Sequence, residues 1–90
     1  MPSVSFTSHL RKFFPALAPT TVGGTTVAEV VAELDRLHPG LAAYIIDEQG
    51  GLRKHVNIFI SNDLVSDRRH LLDRVADDDQ IYIMQALSGG

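Results

Sequence analysis

One strongly patterned helix is the sequence feature that most constrains the fold of this chain. Apolar residues recur at helical spacing over residues 27–37 and charged residues fill the opposite side, so the helix has one apolar stripe to bury. Thr26 and Glu29 match a capping box, in which each side chain accepts a hydrogen bond from a free backbone N–H. Pro39 and Gly40 end the helix. A single helix with one stripe needs a sheet as its packing partner.

Short segments of alternating apolar and polar residues lie on both sides of this helix. Residues 4–7 and 20–22 precede it and are expected to pair as a hairpin. Residues 54–63 and 80–86 follow it, and the first of these is the most regular strand of the chain. A turn over residues 62–63 and a short return strand are expected between them.

Two strands, one helix and then further strands predict an α+β fold of the β-grasp, ubiquitin-like class. Such a domain, over residues 1–84, has a mixed curved sheet packed on one main helix, with its first and last strands side by side. Residues 85–90 are expected to form a flexible C-terminal tail. Residues 41–46 are ambiguous, and residues 71–75 fit one helical turn or an extended segment. A ferredoxin-like fold would need a second full helix, for which only residues 67–75 are available, and the β-grasp is preferred.

The two faces of the predicted sheet differ in what they contact. Alternate apolar residues of the later strands are predicted to pack on the helix: Val56, Ile58, Ile60, Ile81 and Ile83. Phe59, Tyr82 and Met84 then point to the opposite, open face, where large apolar side chains often mark a partner surface. Leu87 is a further candidate anchor for a partner. The alternative is that residues 41–46 cover this face.

Composition excludes several kinds of chemistry. The 90 residues contain no cysteine, which excludes disulfides, zinc thiolates and cysteine nucleophiles and fits a cytoplasmic protein. A net charge of −3 argues against a nucleic-acid partner, and no apolar run suggests a membrane span or signal peptide. The dispersed histidines predict no metal site. Arg68, Arg69 and His70 form a small basic cluster, for which solvation is preferred over contact with an acidic partner. We expect a substrate for enzymes rather than an enzyme.

The C-terminal pair Gly89 and Gly90 stands where no turn is expected, unlike the two earlier Gly-Gly pairs. A terminal glycine carries a carboxylate with no side chain beside it, ionised at pH 7 because its pKa is about 3.5. Such an end can thread a narrow channel of a partner and adopt the backbone conformation required there. A carboxylate is a poor electrophile, so it needs activation, most simply as an acyl adenylate, before sulfide or an amine can attack it.

The chain resembles the ubiquitin-like sulfur carriers of the MoaD and ThiS family over essentially its whole length. The resemblance lies in the capped helix, in HVNIFISND at residues 55–63, in ADDDQIYI at residues 76–83 and in the tail QALSGG. The segment LRKHVNIFISND at residues 52–63 is most similar to the carrier that partners a cysteine synthase. Gln85 is a departure, since proline is common there in the family.

The resemblance implies that an E1-like adenylyltransferase uses ATP to adenylate the carboxylate of Gly90. Gly89, the residue before it, has no side chain to obstruct access. A sulfur donor, such as a sulfurtransferase, then supplies sulfur to form a thiocarboxylate. An acceptor enzyme uses that sulfur in cofactor or amino-acid biosynthesis. The implied acceptors are the molybdopterin synthase large subunit, thiazole synthase and cysteine synthase. No cofactor is implied to bind to the carrier itself.

Two other functions fit the same features. A ubiquitin-like modifier would share the activation of Gly90 and then form an isopeptide bond to a lysine of another protein. A passive β-grasp interaction module would not use its tail, and removal of Gly89 and Gly90 would leave its effects intact.

Overall fold

Five strands and two α-helices form the fold over residues 1–85, the part of the chain that the computed structural model describes. In chain order they are β1 (Ser3–Phe6), β2 (Thr20–Thr21), α1 (Val27–Leu37), α2 (Ala42–Ile45), β3 (Val56–Ile60), β4 (Asp63–Leu64) and β5 (Gln80–Gln85). A 3₁₀ helix over Ser8–Lys12 follows β1. The strands lie in one mixed sheet with the order β2, β1, β5, β3, β4.

The first and last strands, β1 and β5, are parallel neighbours in the middle of this sheet. Val4 lies opposite Ile81, and Phe6 lies opposite Ile83. β2 pairs antiparallel with β1, and β3 pairs antiparallel with both β5 and β4. The predicted hairpin and the predicted adjacency of the first and last strands are confirmed. The ferredoxin-like alternative is wrong, because residues 67–75 form no helix.

α1 buries its apolar stripe against one face of the sheet. The stripe residues that are at most 3% exposed are Val27, Val30, Val31 and Leu34. Ile58 and Ile83 are fully buried on the facing strands, and Ile60 packs against the same core. Leu37 was predicted to belong to the stripe, but it is 44% exposed because it is the last residue of the helix.

The ambiguous segment over residues 41–46 contains α2, which packs against α1. Leu41 and Ile45 are completely buried in the core. The carboxylate of Asp35 accepts a hydrogen bond from the backbone N–H of Ala42 at 3.0 Å, which fixes the turn between the helices. The segment therefore belongs to the helical side of the domain.

The start of α1 is held by a side chain and by a distant stretch of backbone. The hydroxyl of Thr26 accepts a hydrogen bond from the N–H of Glu29 at 3.2 Å. Two further N–H groups donate to carbonyls of the segment over residues 71–75: Val27 to Asp73 at 3.1 Å and Ala28 to Leu71 at 2.8 Å. These bonds satisfy donors that a helix leaves free in its first turn. Arg74 also forms an antiparallel bridge with Thr26, and Leu71 has a positive φ of 57°, so residues 71–75 are not the helical turn that was one of the two predicted conformations.

The predicted capping box is confirmed for the threonine and shifted by one residue for the glutamate. The carboxylate of Glu29 accepts hydrogen bonds from the backbone N–H of Thr25 at 2.7 Å and from its hydroxyl at 3.0 Å. The bond from the Thr25 N–H is the main reason why the pKa of Glu29 lies below its ordinary value. The two residues before the helix thus both take part in its cap.

Thr26→Ala removes the hydroxyl that caps α1 and is expected to lower the free energy of unfolding by about 1 kcal/mol. Urea titration followed by circular dichroism measures this loss. Thr21→Ala is the matched control, because Thr21 is an exposed residue of the edge strand β2. Equal stability of the Thr26→Ala variant and the unsubstituted protein would contradict the capping role.

The loop before residues 71–75 is organised around the carboxylate of Asp67. This carboxylate accepts hydrogen bonds from three backbone N–H groups: those of His70 at 2.9 Å, Arg69 at 3.1 Å and Leu72 at 3.3 Å. The bond from His70 contributes most to holding the pKa of Asp67 below its ordinary value. A carboxyl group with a lowered pKa stabilises the folded state above its unfolded pKa and loses that contribution as the pH falls.

Stability is therefore expected to fall as the pH is lowered below about 4, the ordinary range for aspartate. Asp67→Asn removes the acceptor charge, so this variant is expected to be less stable at pH 6 and to lose less stability between pH 6 and pH 3. Urea titrations at several pH values measure both effects. Asp78→Asn, at an exposed position of the corner before β5, is the control. The same pH dependence with and without the Asp67 carboxylate would exclude it as a contributor.

Candidate functional site: the open sheet face and the C-terminal strand

The sheet face opposite α1 carries a group of large apolar side chains. Strand pairing places Phe59 directly opposite Tyr82 on one side and Leu64 on the other. Met84 lies two residues from Tyr82 on β5 and therefore points to the same face. Tyr82 is 38% exposed and Leu64 is 52% exposed, whereas Phe59 and Met84 are half-buried. We call these four residues the open-face patch.

Three members of the open-face patch occupy the face predicted for them, and Leu64 is an addition. The turn was predicted at residues 62–63, but the connecting turn is formed by Ser61 and Asn62, and Ser61 has a positive φ of 55°. The shift by one residue brings Asp63 into β4 and puts Leu64 opposite Phe59. A change of one residue in register reverses the faces of a strand, so alternation alone could not place Leu64.

Residues 41–46 do not cover the open-face patch, which makes that alternative wrong. α2 packs on α1, and the ring of Tyr44 lies 4.9 Å from the ring of Phe13 and 5.2 Å from that of Phe14. These aromatic contacts lie beside the helical layer of the domain. Within the described residues, the open-face patch therefore keeps Tyr82 and Leu64 exposed.

Arg68 holds a loop in place through hydrogen bonds, rather than acting as part of a basic surface cluster. Its guanidinium donates hydrogen bonds to Oδ1 of Asn57 at 2.7 Å and to the carbonyls of Arg53 and Val56, both at 2.9 Å. These bonds attach the loop after β4 to the start of β3. Of the predicted cluster, Arg69 and His70 are the exposed members.

β5 leads the chain toward the predicted tail. Gln85, which the sequence interpretation assigned to the tail, pairs with Val56 of β3 and is the last described residue. Its side chain lies beside Tyr44 and Arg53, and its Oε1 atom is buried without a hydrogen bond from the described residues. Leu87, Gly89 and Gly90 lie outside the described residues, so their predicted roles stay predictions.

Two general properties of the described chain bear on its chemistry. Within residues 1–85, no three side chains of the histidine, aspartate and glutamate types converge as a metal site would require. No helix in the same range is long and apolar enough to cross a membrane.

The sheet order, the single main helix and the strand that leads to the C-terminus define a ubiquitin-like β-grasp protein. Comparison with protein families then narrows this class. The chain belongs to the ThiS family, whose profile matches residues 12–90. The resemblance to ubiquitin-like sulfur carriers that the sequence motifs indicated is confirmed.

Individual proteins show the same similarity. The chain is 27% identical over 90 residues to the sulfur carrier protein CysO of Mycobacterium tuberculosis, covering 98% of this chain and 97% of that protein. It superposes on a chain of the BexX/CysO complex of Amycolatopsis orientalis with a TM-score of 0.85 and 25% identity, over the whole of both chains. SAMP1 of Haloferax volcanii has a TM-score of 0.75 at 21% identity, covering 98% of this chain and 97% of that one, which shows a shared fold.

Proposed function

We propose that this protein carries sulfur as a thiocarboxylate on Gly90. The observation that carries the proposal is the match to the ThiS family over residues 12–90, which includes the C-terminal Gly89 and Gly90. The similarity to CysO sulfur carriers over nearly the full length supports it. A β-grasp domain with an exposed apolar face supplies a docking surface, and its last strand leads toward the reacting end.

The chemistry takes place in two steps on an E1-like adenylyltransferase. In the first, a carboxylate oxygen of Gly90 attacks the α-phosphorus of ATP, and pyrophosphate leaves to give an acyl adenylate. In the second, sulfide from a sulfur donor attacks the carbonyl carbon, the bond from that carbon to the adenylate oxygen breaks, and AMP leaves. The protein itself contributes the accessible carboxylate and the surface by which the adenylyltransferase recognises it.

Cysteine synthase is the acceptor that we favour among the three implied by the family. The similar curated proteins are CysO sulfur carriers. The resemblance of the sequence over residues 52–63 to the carrier that partners a cysteine synthase favours the same acceptor. In the Amycolatopsis orientalis structure CysO forms a complex with BexX, so a carrier similar to this chain binds another protein.

Intact-protein mass spectrometry of the chain, incubated with an E1-like enzyme, ATP and a sulfide source, tests the proposal. The product is expected to be heavier by about 16 Da, the difference between sulfur and oxygen, and C-terminal fragment masses separate it from methionine oxidation. Deletion of Gly90 is expected to abolish the product. A carboxylate that stays unmodified under these conditions would overturn the carrier function, and adducts through lysines would instead identify a modifier.

The open-face patch is expected to bind the adenylyltransferase. Tyr82→Thr removes the aromatic ring but keeps a residue type that favours strands, so stability should change by no more than about 0.5 kcal/mol. The KM for the carrier should rise about tenfold, as for the loss of one central interface residue. Leu72→Thr is the control, because Leu72 is 61% exposed outside the patch. Equal KM values for the two variants would exclude the patch as the docking surface.

A further inference from the structure

Thr7 joins the end of β1 to the last described residue of β5. Its backbone N–H donates a hydrogen bond to the carbonyl of Ile83 at 3.0 Å. Its hydroxyl donates to the same carbonyl at 3.2 Å and accepts a hydrogen bond from the backbone N–H of Gln85 at 3.0 Å. The Thr7 hydroxyl therefore contacts the backbone of both Ile83 and Gln85 on β5.

The Thr7 hydroxyl serves as the acceptor for the Gln85 N–H because the carbonyl of Thr7 already accepts another hydrogen bond. In a parallel ladder, the next acceptor for the N–H of Gln85 would be the carbonyl of Thr7. That carbonyl instead accepts a hydrogen bond from the N–H of Leu10 at 3.1 Å, where the chain turns into the 3₁₀ helix. The side-chain oxygen takes the place of the missing backbone acceptor and extends the pairing of β1 with β5 by one rung.

A structural role as a helix cap does not account for this hydroxyl. Thr7 is the N-cap residue of the 3₁₀ helix over Ser8–Lys12, a position where threonine usually accepts a hydrogen bond from the first turn. Its side chain makes no such bond and faces β5 instead. The contact is thus directed at the strand that leads to the C-terminus.

We propose that Thr7 is a positioning residue for the reaction at Gly90. Gln85 precedes Gly90 by five residues, and five residues span at most about 17 Å. The point at which β5 is held to β1 therefore limits where the carboxylate of Gly90 reaches once the open-face patch has docked on a partner. This inference rests on the proposed function.

The inference predicts a change in substrate recognition and leaves the chemical step unchanged. Without the hydroxyl, an enzyme that binds the C-terminus must also fix the backbone at Gln85, which weakens binding by about tenfold for one additional ordered residue. Once bound, the carboxylate reaches the same position, so kcat should stay within about twofold, while binding and KM carry the loss.

Thr7→Val tests the contact directly, because valine has the shape of threonine without the hydroxyl. Hydrogen exchange measured by NMR should show the Gln85 amide exchanging at least about tenfold faster, since its acceptor is gone. Thr7→Ser should restore slow exchange. Thr21→Val on the edge strand β2 is the control for a threonine-to-valine change and should leave the Gln85 amide unaffected. If the valine variant does not fold, Thr7→Ala removes the same hydroxyl with a smaller side chain.

Steady-state adenylation of the same variants by the E1-like enzyme tests the positioning role. The expected result is a KM about tenfold higher for Thr7→Val, an unchanged kcat, and recovery in Thr7→Ser. An unchanged KM, or a loss confined to kcat, would overturn the positioning role while the proposed function stands. An unsubstituted chain that is not adenylated at all would overturn the proposed function and this inference together.

Discussion

The parallel pairing of β1 with β5 is the interaction on which the rest of this structure depends. It joins residues from the two ends of the chain, such as Val4 and Ile81, so it closes a loop that contains every other element. β2 is attached to one side of this pair, and β3 with β4 to the other. The core residues of both strands face α1, so the helix has a continuous surface to pack against only after the two ends have met. Long-range pairing of this kind makes folding slow, because the intervening chain must close into a loop before the pairing can form.

Hydrogen bonds at the start of α1 hold the segment over residues 71–75 in place next to this core. The backbone of residues 71–75 supplies acceptors for the first turn of the helix, and the N–H of Val75 donates to the carbonyl of Thr25 at 2.9 Å. The same stretch leads directly into the corner before β5. The helix start therefore positions the approach to the central strand, and the hydrogen bonds of the cap serve the sheet as well as the helix.

Periodicity predicted the helix, the main strands and the division of their residues between two faces. These features depend on local spacing, and Phe59 and Tyr82 accordingly lie on the predicted face. What periodicity missed depends on contacts between distant residues. Leu64 joins the open-face patch because the turn before it is one residue earlier than predicted. Residues 71–75 form no helical turn, because their carbonyls accept hydrogen bonds from the start of α1. A threonine at position 7 has no recognisable signal in the sequence, because its partner at Gln85 is 78 residues away.

Gln85 connects the fold to the chemistry of the tail. Its backbone N–H donates a hydrogen bond to the Thr7 hydroxyl at 3.0 Å, which limits the directions in which the chain can leave the sheet. A carrier whose reacting group is its own terminus gains from such a limit, because the partner enzyme then has fewer conformations to select from. In the positioning role that we propose for Thr7, its bond to Gln85 therefore stabilises the central strand pair and also restricts how the C-terminal carboxylate is presented to a partner.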